Sequence, residues 1–146
     1  MNQFDKQLAL RWADIDANHH VRHSAYYDFG AQHRIDILTQ LGLSLEIMKD
    51  AGIGPVLFRE ECVFKREIML TDIITISTTL LKLKKDGSRF SIRHELIRAD
   101  QTLCAIITVD GAWIDIARRK LVSPIPTVVT NVFSSFPKAE DFEMYG

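Results

Sequence analysis

Apolar and polar residues alternate over Lys6-Gln7-Leu8-Ala9-Leu10-Arg11-Trp12-Ala13-Asp14, the period of a half-buried strand. After a polar stretch the period lengthens to that of a helix. Ser24 is placed to cap it, Asp28 falls in the first turns where negative charge suits the dipole, and Gly42 supplies a stop after Leu41. Two adjoining stripes run along this helix: Tyr26, Gly30, His33, Ile37, Leu41 and Tyr27, Ala31, Ile35, Leu38. Apolar cover that wide predicts a helix packed on most sides. Residues 44–51 read as a second, short helix between Ser44 and Gly52.

From Pro55 the period becomes strand-like. Strands are predicted over 56–66, 72–84, 89–99 and 103–116, with Lys85-Asp86-Gly87-Ser88 as a hairpin turn and a second turn at Asp100-Gln101. Phe90, Ile92, His94 and Leu96 fall on one face of the third. The run Leu103–Val109 is nearly apolar throughout, which predicts a central strand covered on both faces. Pro124 and Pro126 close the sheet region. Phe133, Phe136 and Phe142 then mark a short helix and tail that dock on the body or contact a partner.

No repeat, low-complexity segment or linker interrupts the 146 residues. We therefore expect one domain over 1–146, with its core at about 6–125 and a C-terminal tail at 126–146. Its class is α+β, one antiparallel sheet burying one long helix. A formal net charge of -1 gives no global field toward nucleic acid or an anionic membrane, so neither is an expected partner. No apolar run reaches the length of a membrane span, and Met1–Lys6 lacks the order of a secretory signal. Cys62 and Cys104 lie in apolar strand-like segments without CxxC spacing, as buried free thiols would, which places the protein in the cytoplasm.

Most of the candidate chemistry lies between Asp14 and Tyr27, where two carboxylates, an amide and three imidazoles meet the start of the long helix. Gly, Asn or Ser would suffice to close a turn. A helix start, in contrast, offers unpaired N–H groups and a positive dipole end to a developing negative charge. His19, His20 and His23 with Asp16 invite a metal reading. Adjacent His19 and His20 side chains diverge, however, and no second cluster stands nearby, so no metal is expected. His33 lies mid-helix on an apolar stripe and reads as a buried, hydrogen-bonded core residue. Glu60 and Glu61 are surface charges or face the site of a neighbouring subunit. Lys65, Arg66, Arg89, Arg93, Arg118, Arg119 and Lys120 are candidates for a nucleotide phosphate; spacing selects none of them, and no Gly-rich phosphate loop is present.

Asp14-x-Asp16-x-Asn18-x-His20-Val21, followed by an aromatic-rich helix, resembles the D-x-D-x-N-x-H-V-N-N-x-x-Y signature of hotdog-fold acyl thioesterases. These include the 4-hydroxybenzoyl-CoA thioesterase-like group and acyl-carrier-protein thioesterases. The resemblance covers most of the chain. It implies a hotdog fold, an antiparallel five-stranded sheet wrapped around one long helix. It also implies hydrolysis of an acyl thioester, carried by coenzyme A or an acyl carrier protein, without metal or redox cofactor. By position, Asp16 matches the general base or nucleophile, and Asn18 and His20 match the amide and imidazole beside it. The backbone N–H near His23 matches the group that polarises the thioester carbonyl, and Ser24, Tyr26 and Tyr27 follow at the substrate side. Hydrolysis needs both a nucleophile and donors for the oxyanion, and these positions supply them.

Asp14 is expected to be structural, accepting backbone hydrogen bonds. Two departures stand out. His19 replaces a common Gly, which tolerates positive φ far more easily, and Arg22-His23 replaces the usual Asn-Asn. In the family, subunits join edge to edge with sites at the interface, which implies a homodimer or a dimer-based tetramer. Two other functions fit the same features: a non-catalytic acyl-thioester binding protein, and an enoyl-thioester hydratase or dehydratase using His20 and Asp16 as an acid–base pair.

Overall fold

In a computed structural model, which describes residues 2–146, the long helix α1 spans Ala25–Gln40 and the short helix α2 spans Leu45–Ala51. Ser44 caps α2 by accepting the Ile47 N–H at 3.3 Å, and Gly52 ends it in the left-handed region at φ 70°. Gly42, at φ 104°, turns the chain after α1. There are seven strands, of which β2 to β5 follow the predicted period closely: β1 (Lys6–Gln7), β2 (Ile53–Phe64), β3 (Ile74–Lys84), β4 (Arg89–Arg98), β5 (Leu103–Asp115), β6 (Lys120–Leu121) and β7 (Lys138–Tyr145). A third helix, α3, occupies Thr127–Ser135.

All seven strands share one sheet, five of them in the order β1-β3-β4-β5-β2 with each pair antiparallel, where five were expected in all. β5 is central, as its apolar run predicts. Cys104, Ala105, Ile107 and Val109 are buried, while Leu103, Ile106 and Thr108 are half-buried, so the cover on its second face is partial. On β4 the predicted face of Phe90, Ile92, His94 and Leu96 is the buried one. β2 is left at an edge. Two strands were not foreseen: β6 pairs with β5, and β7 runs parallel to β3. The tail is therefore a helix followed by a sheet strand.

The predicted strand over 6–14 is reduced to two residues. Asp14, only 2% exposed, accepts the Arg11 backbone N–H at 3.3 Å and its guanidinium at 2.8 Å, drawing 12–14 into a 3-10 turn. The helix also differs from its expected cover. Tyr26, Gly30, His33 and Ile37 are buried against the sheet, but of the second stripe only Leu38 is buried. Tyr27 and Ile35 are half-buried and Ala31 is exposed, because that side faces a gap beside β2.

Two core clusters divide the length of α1. One joins Ile37 and Leu38 to Phe90, Trp113, Phe133 and Phe136 under α3. The other joins Ala25 and Tyr26 to Ile68, Ile74, Leu96 and Ile107 at the start of the helix. Burying such side chains contributes about 2 kcal/mol each, which holds the helix start against the sheet.

Candidate active site

The polar run becomes a tight turn pinned to the helix start. The Asp16 N–H donates to the His20 carbonyl at 2.8 Å, and Ile15 bridges Val21. Asp16 Oδ1 accepts the N–H of Asn18 at 2.8 Å and that of His20 at 3.2 Å, an Asx-type turn. Oδ2 has no hydrogen-bond partner among the described residues. His19 sits at φ 67°, the left-handed region that favours glycine. Histidine thus keeps the geometry at a cost of about 1–2 kcal/mol.

Four of the expected residues, Asp16, His20, His23 and Tyr26, line one cleft of about 300 Å³. The other three are placed otherwise. Asn18 contributes its backbone N–H to the turn and is exposed, Ser24 Oγ accepts from Arg22 Nη1 at 2.6 Å, and Tyr27 is half-buried outside the cleft. Ser24 occupies the N-cap position without a side-chain capping bond, since its hydroxyl is engaged by Arg22. Arg22 N–H donates to the Asp14 carbonyl and Ala25 N–H to the Arg22 carbonyl. The N–H groups of His23 and Ser24, between them, find no acceptor among the described residues, as expected of a helix start.

Asp14 receives Arg11 at 2.8 Å and Arg22 at 3.6 Å. The Arg11 guanidinium holds its carboxyl below the usual range. Its expected backbone bond is present, but the guanidinium contacts were not foreseen. Tyr26 packs edge-on to Phe64 with ring centroids 4.9 Å apart, and burial pushes its hydroxyl up to about 12, so it stays protonated. Among the described residues no three His, Cys, Asp or Glu side chains are grouped as ligands of a metal.

Of the candidate cations, two lie near this turn. Lys65 and Arg66 line the Asp16 cleft, fixed where β2 ends by backbone bonds from both N–H groups to the Cys104 carbonyl. Phe64 and Glu67 join them. No local signal could have marked these residues, because the contact is made across the sheet. Both cysteines are free, but only Cys104 is buried as expected; Cys62 is half-buried on the edge strand, and its burial pushes the thiol up to about 11.

A family model described as the thioesterase-like superfamily matches residues 10–133. No curated protein sequence matches the chain. Among solved structures, a gentisyl-coenzyme A thioesterase is similar at 26% identity and TM-score 0.75, covering 88% of this chain and 98% of its own. A 1,4-dihydroxy-2-naphthoyl-CoA thioesterase from Synechocystis is similar at 19% identity and TM-score 0.79, over 90% and 96% of the two chains. A Staphylococcus aureus protein solved in complex with CoA gives 19% identity and TM-score 0.80, over 93% and 87%. With the strand order above, these likenesses establish the hotdog fold. No helix among the described residues is long and apolar enough to cross a membrane.

Proposed function

The chain belongs to the thioesterase-like superfamily, and on that premise we propose that it hydrolyses an acyl thioester of coenzyme A. One observation carries the reading. Asp16 is fixed through Oδ1 by two backbone N–H groups, keeps Oδ2 free, and lines a cleft at a helix start whose N–H groups are open. In this reading Asp16 attacks the thioester carbonyl carbon or takes a proton from water that does so. The N–H groups of His23 and Ser24 stabilise the oxyanion. His20 orients the water or the thioester, and Asn18 serves through its backbone. Lys65 and Arg66 at the rim hold phosphates of the coenzyme as charge-assisted donors. The solved neighbours named for coenzyme A thioesters, and the one holding CoA, support that carrier.

Assembly follows from β2. It is a twelve-residue edge strand with Leu57, Phe58, Val63 and Phe64 exposed, and an unprotected edge of that kind pairs with another strand. In our reading two copies join through β2 as a homodimer, or a dimer-based tetramer, with the clefts near the interface. The test is release of free thiol from an acyl-CoA panel. Asp16→Ala should abolish it with the fold intact by circular dichroism; undiminished release in that variant removes Asp16 from the role. A monomeric mass in solution removes the dimer.

A further inference from the structure

Two cavities lie along α1 and β2, one at each end of the strand. Pairing with β5 sets Leu57 opposite Gly111, Glu60 opposite Val109, Cys62 opposite Ile107 and Phe64 opposite Ala105, all on the buried side of β5. A bulge between Leu57 and Arg59 keeps that phase. Phe64, at one end, lines the Asp16 cleft. Leu57, at the other, lines a largely apolar cavity of about 160 Å³ with Arg34, Ile35, Leu38, Phe90 and Trp113.

Arg34 is the one charged group in that wall. Its side chain is 13% exposed, yet it makes a single hydrogen bond, Nη1 to His94 Nε2 at 2.9 Å. Glu60 Oε2 stands 4.0 Å from Nη2, too far for a hydrogen bond. A guanidinium offers five N–H donors; with one engaged by His94 and Glu60 only an ion-pair partner, the others are available to a group in the cavity.

A buried chain of hydrogen bonds fixes its position. His33 Nε2–H donates to the Phe4 carbonyl at 2.7 Å, so Nδ1 must accept from the Thr78 hydroxyl at 2.5 Å. That hydroxyl oxygen accepts from His94 Nδ1–H at 2.6 Å, which leaves His94 Nε2 to accept from Arg34. Every bond is made with both imidazoles neutral, and burial lowers both basicities, that of His94 strongly. Gly30 makes room for the junction. A Cβ there would lie 2.9 Å from His94 Cδ2 and 3.4 Å from Arg34 Nη1.

We propose that Arg34 is a specificity-determining residue that donates to an oxygen on the acyl group, so that the protein selects oxygenated acyl chains over plain hydrocarbon, with His94 as its positioning residue. The proposal rests on the thioester reading for the identity of the ligand. Arg34 lies nine residues past Ala25, about 13 Å along the helix axis, so the oxygen it meets is distal to the thioester. A hydroxyl fits best, since it can accept from Arg34 and donate to Glu60. A carboxylate satisfies the guanidinium but meets Glu60 as well.

The test uses non-hydrolysable S-alkyl thioether analogues of coenzyme A, hexyl through dodecyl, each ending in methyl, hydroxyl or carboxylate. Binding to the full chain is measured by calorimetry. At the matching length the hydroxyl analogue should bind about tenfold or more tighter than the hydrocarbon, with carboxylate between them. Arg34→Met should bring that ratio near unity, and Arg34→Lys, which keeps the charge should the Met variant misfold, should give an intermediate ratio. His94→Gln should lower the ratio, read against hydrocarbon binding by the same variant. Hydrocarbon binding as tightly as both oxygenated analogues at every length, or a ratio unchanged in Arg34→Met, overturns the proposal. Carboxylate ranking above hydroxyl keeps Arg34 and removes Glu60. Because binding is read apart from thiol release, a panel without hydrolysis would sink the catalytic reading and leave this ratio to stand or fall alone.

Discussion

Two polar clusters border α1, one exposed at its start and one buried behind its middle, and they are held in opposite ways. The turn around Asp16 is local. Its bonds link Asp16 to Asn18 and His20, and Arg22 to Ser24, and its side chains meet solvent. The buried chain ties Phe4 to His33, His33 to Thr78, Thr78 to His94 and His94 to Arg34, with 0% exposure at Thr78 and His94. Water can replace a lost partner in the first and cannot reach the second. Substitutions in the turn should therefore register in chemistry, and those at the closed end of the buried chain, His33 and Thr78, in stability.

The sharpest break of that contrast is Asp16→Asn. The amide oxygen can still accept the N–H groups of Asn18 and His20, so the turn survives while the carboxylate is lost. We expect kcat to fall by about 10³-fold with a melting temperature within about 2 °C of the parent, measured by thiol release and calorimetry. Full activity, or a collapsed melting temperature, would erase the distinction between the two clusters.

Thr78→Val tests the other side. It keeps the shape but orphans His33 Nδ1 and His94 Nδ1–H together. The loss should be about 3 kcal/mol in urea unfolding, with kcat for a short hydrocarbon thioester changed less than about threefold. A stability loss below about 1 kcal/mol would mean that water enters the chain after all.

Acid should weaken the buried chain as well. His33 and His94 are neutral in the fold with basicity held below the ordinary value of 6.5. His33 faces Asp36, Asp5 and Lys6, and His94 faces Arg34 and His33. As pH falls through about 6.5 the unfolded chain takes up protons that the folded one refuses, so stability is complete above that pH and declines below it. Two histidines set a limit of about 2.7 kcal/mol per pH unit. Urea midpoints at pH 8 and pH 5 measure the decline; equal midpoints would show that the imidazoles accept protons in place.

The same contrast explains what could be read in the sequence. The Asp16 run was legible because its residues are neighbours in the chain, and β3, β4 and β5 were legible because their period repeats over ten or more residues. Lys138–Tyr145 has no such period and becomes a strand only because β3 offers it an edge. The stretch 6–14 has the period and loses it to the Arg11–Asp14 contact. Arg34 and His94 stand 60 positions apart, Lys65 and Arg66 reach the cleft across the sheet, and no local pattern announces either meeting.

His23 carries the smallest expected effect and the finest distinction. His23 lines the cleft, and the proposed chemistry uses only its backbone N–H. His23→Ala removes the ring and keeps the N–H, so kcat should change by less than about threefold, a barrier difference under about 0.7 kcal/mol. Loss of one oxyanion donor instead costs about 10²–10³-fold, so the two cases cannot be confused. His23 shares its cleft with Lys65 and Arg66, so loss of the ring should show as a changed KM for the coenzyme thioester. A drop in kcat approaching that of Asp16→Asn would transfer the chemistry from the backbone to the imidazole. The helix start would then be a scaffold for His23, and the exposed cluster would work through side chains throughout.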